Sequence, residues 1–520
     1  MSRLSFRLLL ALLAVAAVGW LADAFLLRSI TTDEGISILA ASAIRAHGVP
    51  LLPSQQVYDR AYLAHYALAA STAIFGTGTL GITLPALAAA LGTLFFTFDL
   101  GRRALRSESA GLVACALVAV SPDMVMYATS PRMYGPLTFF CTWGAAAAWR
   151  GFVGGERRQR ILAVVAAALG LQCERGAAAF VPAVAVALLC IEAGPVRQRW
   201  AAVRAKVPFG RAEWLALAGL MLSAVAVAVK PPHALKAIIV EAGLPPRFLD
   251  FSLSPERIFW HTLNVDGMLP GTMWLAAVGA FVLLRHEERA RRFIPVTFAV
   301  TLVCIAALLV HTGHRMVLFL LPLYALLVAQ GVVSLVGAIR DPASRPFVRR
   351  AALVSLGIYT SALGIAWGVP DRLRRAYPTA YLFPERSREG HVEVKDELLA
   401  LRAELLPGDL VLTSNPWVSD YYLGRTDGIL RQRLTESGNF TSFSKHRDEY
   451  FGARIYDKWS RIDALLAKLE PGQRVWFIAE TKSDVYWSPE FTQEFEARFP
   501  RTNTSERLRV HRYVAPPAPK

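Results

Sequence analysis

The sequence predicts a mainly α-helical, polytopic membrane protein with about eleven transmembrane helices and a C-terminal extracytoplasmic α/β domain. Three observations lead there. Of 520 residues, 54% are apolar and only 18% charged, whereas soluble globular chains run at about 45–50% and about 25%. The formal net charge of +16 is unevenly placed: residues 1–370 hold 32 Lys/Arg against 18 Asp/Glu, and residues 371–520 hold 24 against 22. Apolar runs recur up to residue 369 and then stop. Disorder, coiled coil and a wholly soluble enzyme are excluded, and the chain divides into a membrane domain over 1–370 and a polar domain over 371–520.

A helix crosses a bilayer with about 20 apolar residues. Eleven runs qualify, at roughly 8–27, 82–101, 110–128, 134–149, 161–173, 176–192, 213–229, 269–284, 293–310, 316–338 and 351–369, of which 161–173 is the shortest. With the N-terminus in the cytoplasm, the inner segments carry Arg3 and Arg7, Arg102 to Arg106, Arg150 to Arg160, Arg197 to Arg211, Arg285 to Arg292 and Arg340 to Arg350. These are 22 of the 32 basic residues of this part, which fixes the parity by the positive-inside rule. Residues 371–520 then face the periplasm, and the chain is expected in a bacterial inner membrane. The apolar stretch 61–75 would invert every later loop if it crossed, so it reads as a helix on the outer surface, which His65 and Tyr66 suit. The first outer loop therefore runs from 28 to 81. The first span also imitates a signal peptide, with Ala22-Asp23-Ala24 resembling a cleavage site.

The five cysteines lie in or beside apolar runs and none in the polar part, so they read as small hydrophobes and not as disulfide staples. No zinc-type spacing occurs, and membrane topology accounts for the arginines without nucleic acid. After Pro370, a helical pattern over Lys395–Leu406 is followed by Pro407-Gly408 and DLVLTS. A second, over Ile462–Leu469, is followed by Pro471-Gly472 and RVWFIAE, and a last strand is expected at Leu508–Val514. Helix, turn and strand repeated in this way predict a small α/β domain with a partly parallel sheet. No phosphate loop, nucleophile elbow or metal cluster occurs there, so it reads as an accessory or acceptor-contacting domain.

Chemistry is expected where charged groups collect at the outer helix ends. Four groups do so: Asp33 and Glu34, Arg132 and Tyr134, Glu174 and Arg175, and His311, His314 and Arg315. Thr31 and Glu34 have the spacing of a capping box, and a carboxylate just above the bilayer suits a general base toward an acceptor hydroxyl; a capping Glu34 and a catalytic Asp33 are compatible. Arg132 either snorkels to lipid phosphates or, with Arg175 and Arg315, neutralises the phosphate of a lipid-borne substrate, for which guanidinium geometry is apt. Glu174 pairs with Arg175 or contacts the acceptor. The two histidines of His311-Thr312-Gly313-His314 lie on a turn, and hydration explains them better than metal ligation.

The Asp-Glu pair after the first span, GRRALRSESAG at an inner turn and YATSPRMYGPL at the next outer turn together resemble the GT-C superfamily of membrane glycosyltransferases, specifically the family 39-like group that includes protein O-mannosyltransferases and the aminoarabinose transferases of lipid A. The similarity is clearest over 28–150 and weaker at CERGAAAFVPA and GHRMVLFLLPLYALL. It implies a polyprenyl-phosphate-linked sugar as donor and an acceptor hydroxyl on a glycolipid, surface glycan or protein. It further implies inversion at the anomeric carbon, with Asp33 and Glu34 as catalytic carboxylates and Arg132, Arg175 and Arg315 on the donor phosphate. Tyr134, Glu174 and His314 would be substrate contacts. Where many relatives carry an acid before the RMY segment, this chain has Ser130-Pro131, so a divalent cation is not expected to be essential. A transporter or scaffold is the alternative from another class, but no repeated halves with broken helices occur.

Overall fold

The computed structural model describes residues 1–26, 30–58, 60–174, 176–192, 198, 201, 255–269, 271–308, 314–340, 394–430, 451–480, 489–503 and 508–517. Helix α1 (Arg3–Leu26) has 24 residues, or about 36 Å at ~1.5 Å per residue, enough for a hydrocarbon core of about 30 Å. Leu9, Trp20 and Ala24 are buried while Val15 and Val18 are exposed, so one stripe meets protein and the rest is left to lipid. The Trp20 indole N–H donates to the Ala119 carbonyl at 3.2 Å.

Two helices follow in the segment read as the first outer loop: α2 (Thr32–His47) and α3 (Tyr62–Phe75). They pack through Ile38, Ala41 and Ile44 against Leu68 and Ala69. Then come α4 (Thr79–Ala104), α5 (Glu108–Val120), α6 (Pro122–Ala128), α7 (Tyr134–Ala148), α8 (Arg157–Cys173) and α9 (Ala177–Ile191). After residues outside the description, α10 (Pro255–Met268), α11 (Met273–Arg285), α12 (Phe293–Leu308), the single turn α13 (His314–Val317) and α14 (Leu321–Arg340) complete the described membrane part.

The sequence expectation of eleven spans is not reached among the described residues. Four stretches are long and apolar enough to cross, Arg3–Phe25, Thr79–Ala104, Arg289–Ala307 and Leu318–Ile339, and α5 with α6 makes a fifth if counted as one. The runs 134–149, 161–173, 176–192 and 269–284 are helical, but α7, α8, α9 and α11 have 15, 17, 15 and 13 residues. The runs 213–229 and 351–369 lie outside the described residues. The run 110–128, expected as one span, bends by 70° between α5 and α6. Pro122 is the cause: it lacks an N–H, so it opens a new helix where that donor is dispensable, and the Ser121 hydroxyl beside it donates to the Met268 carbonyl at 3.0 Å.

Small residues set the closest helix crossings, as expected where packing and not water drives association. A Cβ at Gly101 would lie 2.7 Å from the Gly111 Cα, which marks the contact of α4 with α5. A Cβ at Gly279 of α11 would run into the Leu327 carbonyl, and one at Gly331 of α14 into the Leu275 carbonyl. These two backbones therefore touch.

The polar part contains α15 (Lys395–Glu404), β1 (Leu410–Thr413), α16 (Pro416–Leu423), β2 (Gly428–Leu430), β3 (Arg454–Tyr456), α17 (Trp459–Leu466), β4 (Arg474–Glu480), α18 (Pro489–Arg498) and β5 (Leu508–Val514). The strands form one sheet in the order β3-β2-β1-β4-β5. β2 pairs parallel with β3 and β1, β1 pairs parallel with β4 in the register Leu410 to Val475, and β5 runs antiparallel to β4. Side chains alternate between faces along β4: Trp476 and Ile478 join Val411, Leu398 and Val418 on one side, and Val475 and Phe477 join Leu412, Phe495 and Ile462 on the other. Asp409 at the head of β1 is buried, accepting from Arg474 at 2.6 Å and from the Trp476 indole at 2.8 Å.

The α11–α14 contact gives a direct test. Gly331→Val should lower stability by about 3 kcal/mol or more, because backbone must move to admit the side chain. Gly337→Ala, with open space around it, should be neutral. Thermal unfolding in detergent of the two variants beside wild type checks both.

Candidate functional site

The site begins at the first turn of α2. Thr31 is the N-cap: its hydroxyl accepts from the Glu34 N–H at 3.2 Å, and Glu34 Oε2 accepts from the Thr31 N–H at 2.9 Å, so the box expected from the spacing is complete in both directions. Glu34 is buried, and its other oxygen accepts from the Ser130 hydroxyl at 2.5 Å. Both oxygens of Glu34 are thereby occupied. These contacts fix the turn, and Glu34 also lines the cavity beside it. Asp33 points the other way, its side chain 38% exposed.

Arg132 reaches Asp33 from the tight turn between α6 and α7. Its Nη1 donates to the Asp33 carbonyl at 2.7 Å and to the Ser37 hydroxyl at 3.1 Å, and its Nη2 lies 3.5 Å from Asp33 Oδ2. From α13, Arg315 Nη1 donates to the same Oδ2 at 2.5 Å. Both guanidinium carbons stand over the Tyr134 ring, at 5.8 Å and 6.0 Å from its centre, where the ring's negative face attracts cations. Tyr127 meets Tyr134 edge-on at 5.2 Å. Three separated pieces of chain thus place two cations on one carboxylate.

Burial differs between the two arginines. Arg132 is buried to 8% exposure, whereas Arg315 is 46% exposed. Burial alone would loosen the Arg132 proton, but Asp33, followed by Tyr58 and Tyr134, offsets this and holds it above the ordinary value. Among the described residues no hydrogen bond to Asp33 Oδ1 occurs. Asp33, Arg132 and Arg315, taken by themselves, carry one net positive charge.

His65 forms a wall of this region and is a correction to the sequence reading. The surface-helix reading of 61–75 used it as a polar interfacial residue, yet it is 2% exposed, while Tyr66 is exposed and donates to the Gly48 carbonyl at 2.8 Å. Its Nδ1 lies 3.0 Å from the Arg60 carbonyl and must donate there, leaving Nε2 as a buried acceptor without a partner among the described residues. Tyr58 packs edge-on to its ring at 5.2 Å. Burial, then the charge of Arg132, lowers its pKa to about 4.

Of the residues expected at the outer face, Asp33, Arg132, Tyr134 and Arg315 come together. Glu174 is the C-cap of α8, its N–H bonded to the Gly170 carbonyl. His314 opens α13, with only its backbone described. Arg175 and His311 lie outside the described residues. Among the described residues no three His, Cys, Asp or Glu side chains converge, and where a second acid might complete a cation site, Ser130 is a donor already spent on Glu34. The donor set does not fit a cation. Sequence reasoning missed Ser37, Tyr58 and Tyr127; the first had a readable signal, one helical turn after Asp33 on the same face.

Comparison with known proteins bears on the fold. Residues 59–220, less than half of the chain, match the family described as dolichyl-phosphate-mannose-protein mannosyltransferase. No curated protein sequence matches. Among solved structures, ArnT from Cupriavidus metallidurans bound to undecaprenyl phosphate aligns with a TM-score of 0.62 at 13% identity, over 98% of this chain and 99% of that one. Its apo form aligns at 0.60 and 14%, over the same shares. The oligosaccharyltransferase of Archaeoglobus fulgidus in its apo form aligns at 0.52 and 12%, over 92% of this chain and 70% of that one. Over nearly its whole length the chain therefore has the fold of the GT-C membrane glycosyltransferases, the superfamily that its Asp-Glu and RMYG segments resemble.

Proposed function

We propose that this protein transfers a sugar from a polyprenyl-phosphate donor to an acceptor hydroxyl at the outer face of a bacterial inner membrane, with inversion. The observation that carries the proposal is Asp33 held between Arg132 and Arg315, two cations that exceed what one carboxylate needs. In this reading the membrane domain over 1–370 is catalytic, its N-terminus is cytoplasmic, and the domain over 371–520 is periplasmic. The undecaprenyl phosphate bound to ArnT supports the class of donor.

The acceptor O–H meets Asp33 Oδ1. The acceptor oxygen attacks the anomeric carbon from the side opposite the phosphate, and its proton passes to Asp33. The bond from that carbon to the phosphate oxygen breaks, and its electron pair stays on the polyprenyl phosphate. Negative charge grows on that leaving group, and Arg132 and Arg315, preorganised by Tyr134 and Asp33, stabilise it, Arg132 from a buried position. Arg175, Glu174 and His314 remain proposed contacts to the donor and acceptor. The proton leaves Asp33 through its exposed side. A cavity of about 460 Å³ lined by Glu34, Ile38, Trp417 and Tyr421 lies on the Glu34 side of the turn, away from the Asp33 carboxylate. A glycolipid or surface glycan is the preferred acceptor; the mannosyltransferase match over 59–220 favours a protein hydroxyl as the second reading.

Asp33→Asn keeps the shape and removes the base, so transfer should fall by about 10²–10⁴-fold with donor binding retained. The check is a reconstituted assay with radiolabelled polyprenyl-phosphate sugars, a membrane or glycan extract as acceptor, and binding of each donor measured separately. Equal transfer by wild type and variant would overturn the role of Asp33. Arg315→Lys should lower kcat/KM for the donor by about 10–100-fold, because an ammonium does not replace the guanidinium fork.

His65 gives the pH dependence. Its folded pKa lies at about 4 against an ordinary 6.5, so between those values the unfolded chain binds more protons. Neutral His65 stabilises fully above pH 6.5, and that contribution is lost as pH falls toward 4. Wild type should therefore lose thermal stability through this window more steeply than His65→Gln, as a pair of melting curves will show.

A further inference from the structure

The turn that carries Asp33 is not held by the membrane part alone. Gly35 lies two residues beyond it, and a Cβ there would sit 2.6 Å from the Trp417 Cβ and 3.1 Å from the Trp417 backbone carbon and oxygen. The backbone of α16 thus rests directly on the first turn of α2, at a distance that only glycine admits. Just before the N-cap, the Ile30 N–H donates to the Tyr422 hydroxyl at 3.0 Å. The next-door Tyr421 hydroxyl donates to the Thr77 carbonyl, ahead of α4, at 3.0 Å. One short helix of the sheet domain therefore grips both ends of the loop that presents Asp33.

The grip is built into a core, not laid on a surface. Trp417 and Tyr422 are 3% and 5% exposed. Ile30 and Tyr421 pack at once against the sheet-domain core of Val418, Tyr422 and Trp476 and against the α2–α3 core of Ile38, Leu68 and Ile82. Helix α16 is itself fixed to the sheet, since the Ser419 hydroxyl and the Thr413 hydroxyl of β1 lie 2.8 Å apart in a hydrogen bond. Apolar packing runs without a break from β4 to the turn of Asp33.

We infer that Trp417 and Tyr422 are positioning residues for Asp33, so that the C-terminal domain completes the active site by fixing the angle of the α2 turn toward Arg132 and Arg315. This rests on the reading of Asp33 given above. Neither residue touches the reacting atoms. They act through the backbone of Ile30 to Gly35, where a small displacement moves the carboxylate off both guanidinium groups.

The test uses the full-length protein in nanodiscs with Tyr422→Phe, which keeps the ring and deletes the acceptor of the Ile30 N–H, and Gly35→Ala as a second, opposite perturbation. Arg425→Ala, in an exposed pair with Asp427, is the control and should match wild type. Hydrogen–deuterium exchange over residues 30–38 should speed up in both variants by about fivefold or more as the bond to Ile30 is lost or strained. Exchange in α4 and the melting temperature should stay as in wild type. In the transfer assay kcat should fall by about tenfold, with both KM values within about twofold of wild type, as misplacement of a reacting group predicts. Unchanged exchange over 30–38 overturns the inference, and so does faster exchange with unchanged kcat. A wild type that transfers nothing overturns the proposed activity instead, and the exchange data then decide the grip by themselves.

Discussion

Arg132 carries its charge where almost no water reaches it, and a buried cation is tolerated only when anions and dipoles are brought to it. The surrounding structure supplies them. The turn between α6 and α7 aims the guanidinium at the end of α2, where the Asp33 carbonyl and the Ser37 hydroxyl accept from it and the Asp33 carboxylate faces it. That end of a helix is itself electropositive, so the carboxylate meets favourable charge from its own backbone and from both arginines. The capping box of Thr31 and Glu34 keeps the turn wound, and the bend at Pro122 is what delivers the α6–α7 turn to it.

Comparison of the two ends of the helices separates topology from function. At the end read as cytoplasmic, five arginines share three acids: Asp99 takes Arg102 and Arg103, Glu156 takes Arg150, and Glu288 takes Arg106 and Arg291. Glu108 binds the chain start through Ser2 and Ser5. Such partly exposed pairs contribute about 0–1 kcal/mol each and satisfy the charges that set orientation. At the other end Arg132 and Arg315 both meet Asp33, while Glu34 beside it is bonded to Ser130 and to the Thr31 backbone. In the function proposed above, the place where both guanidinium groups converge on Asp33 is where the donor phosphate would be received.

The sequence made the local half of this legible. Asp33, Arg132 and Tyr134 stand in short segments whose meaning depends on neighbours a few residues away, and Arg315 follows from counting helix ends. The strands after Pro407-Gly408 and Pro471-Gly472 were readable because turn chemistry and alternation are local signals. What could not be read depends on distant partners. Glu34 is spoken for by Ser130, 96 positions away, His65 is buried by packing that no periodicity announces, and Ile30 meets Tyr422 across 392 positions. Hydropathy also overlooks helix ends: the run 134–149 passes at Trp149 into a π-helical segment, Trp149–Val153, and the run 110–128 stays apolar through its bend but for Asp123.

Ser130 shows how one substitution reshapes the chemistry. Its oxygen lies 2.5 Å from Glu34 Oε1, so a carboxylate in its place would confront another carboxylate at hydrogen-bond range. Two such groups cannot both stay ionised without a shared proton or a cation between them. A hydroxyl removes that demand, because it donates to Glu34 Oε1. In the proposed mechanism, transition-state stabilisation then falls to the two guanidinium groups that stand over Tyr134.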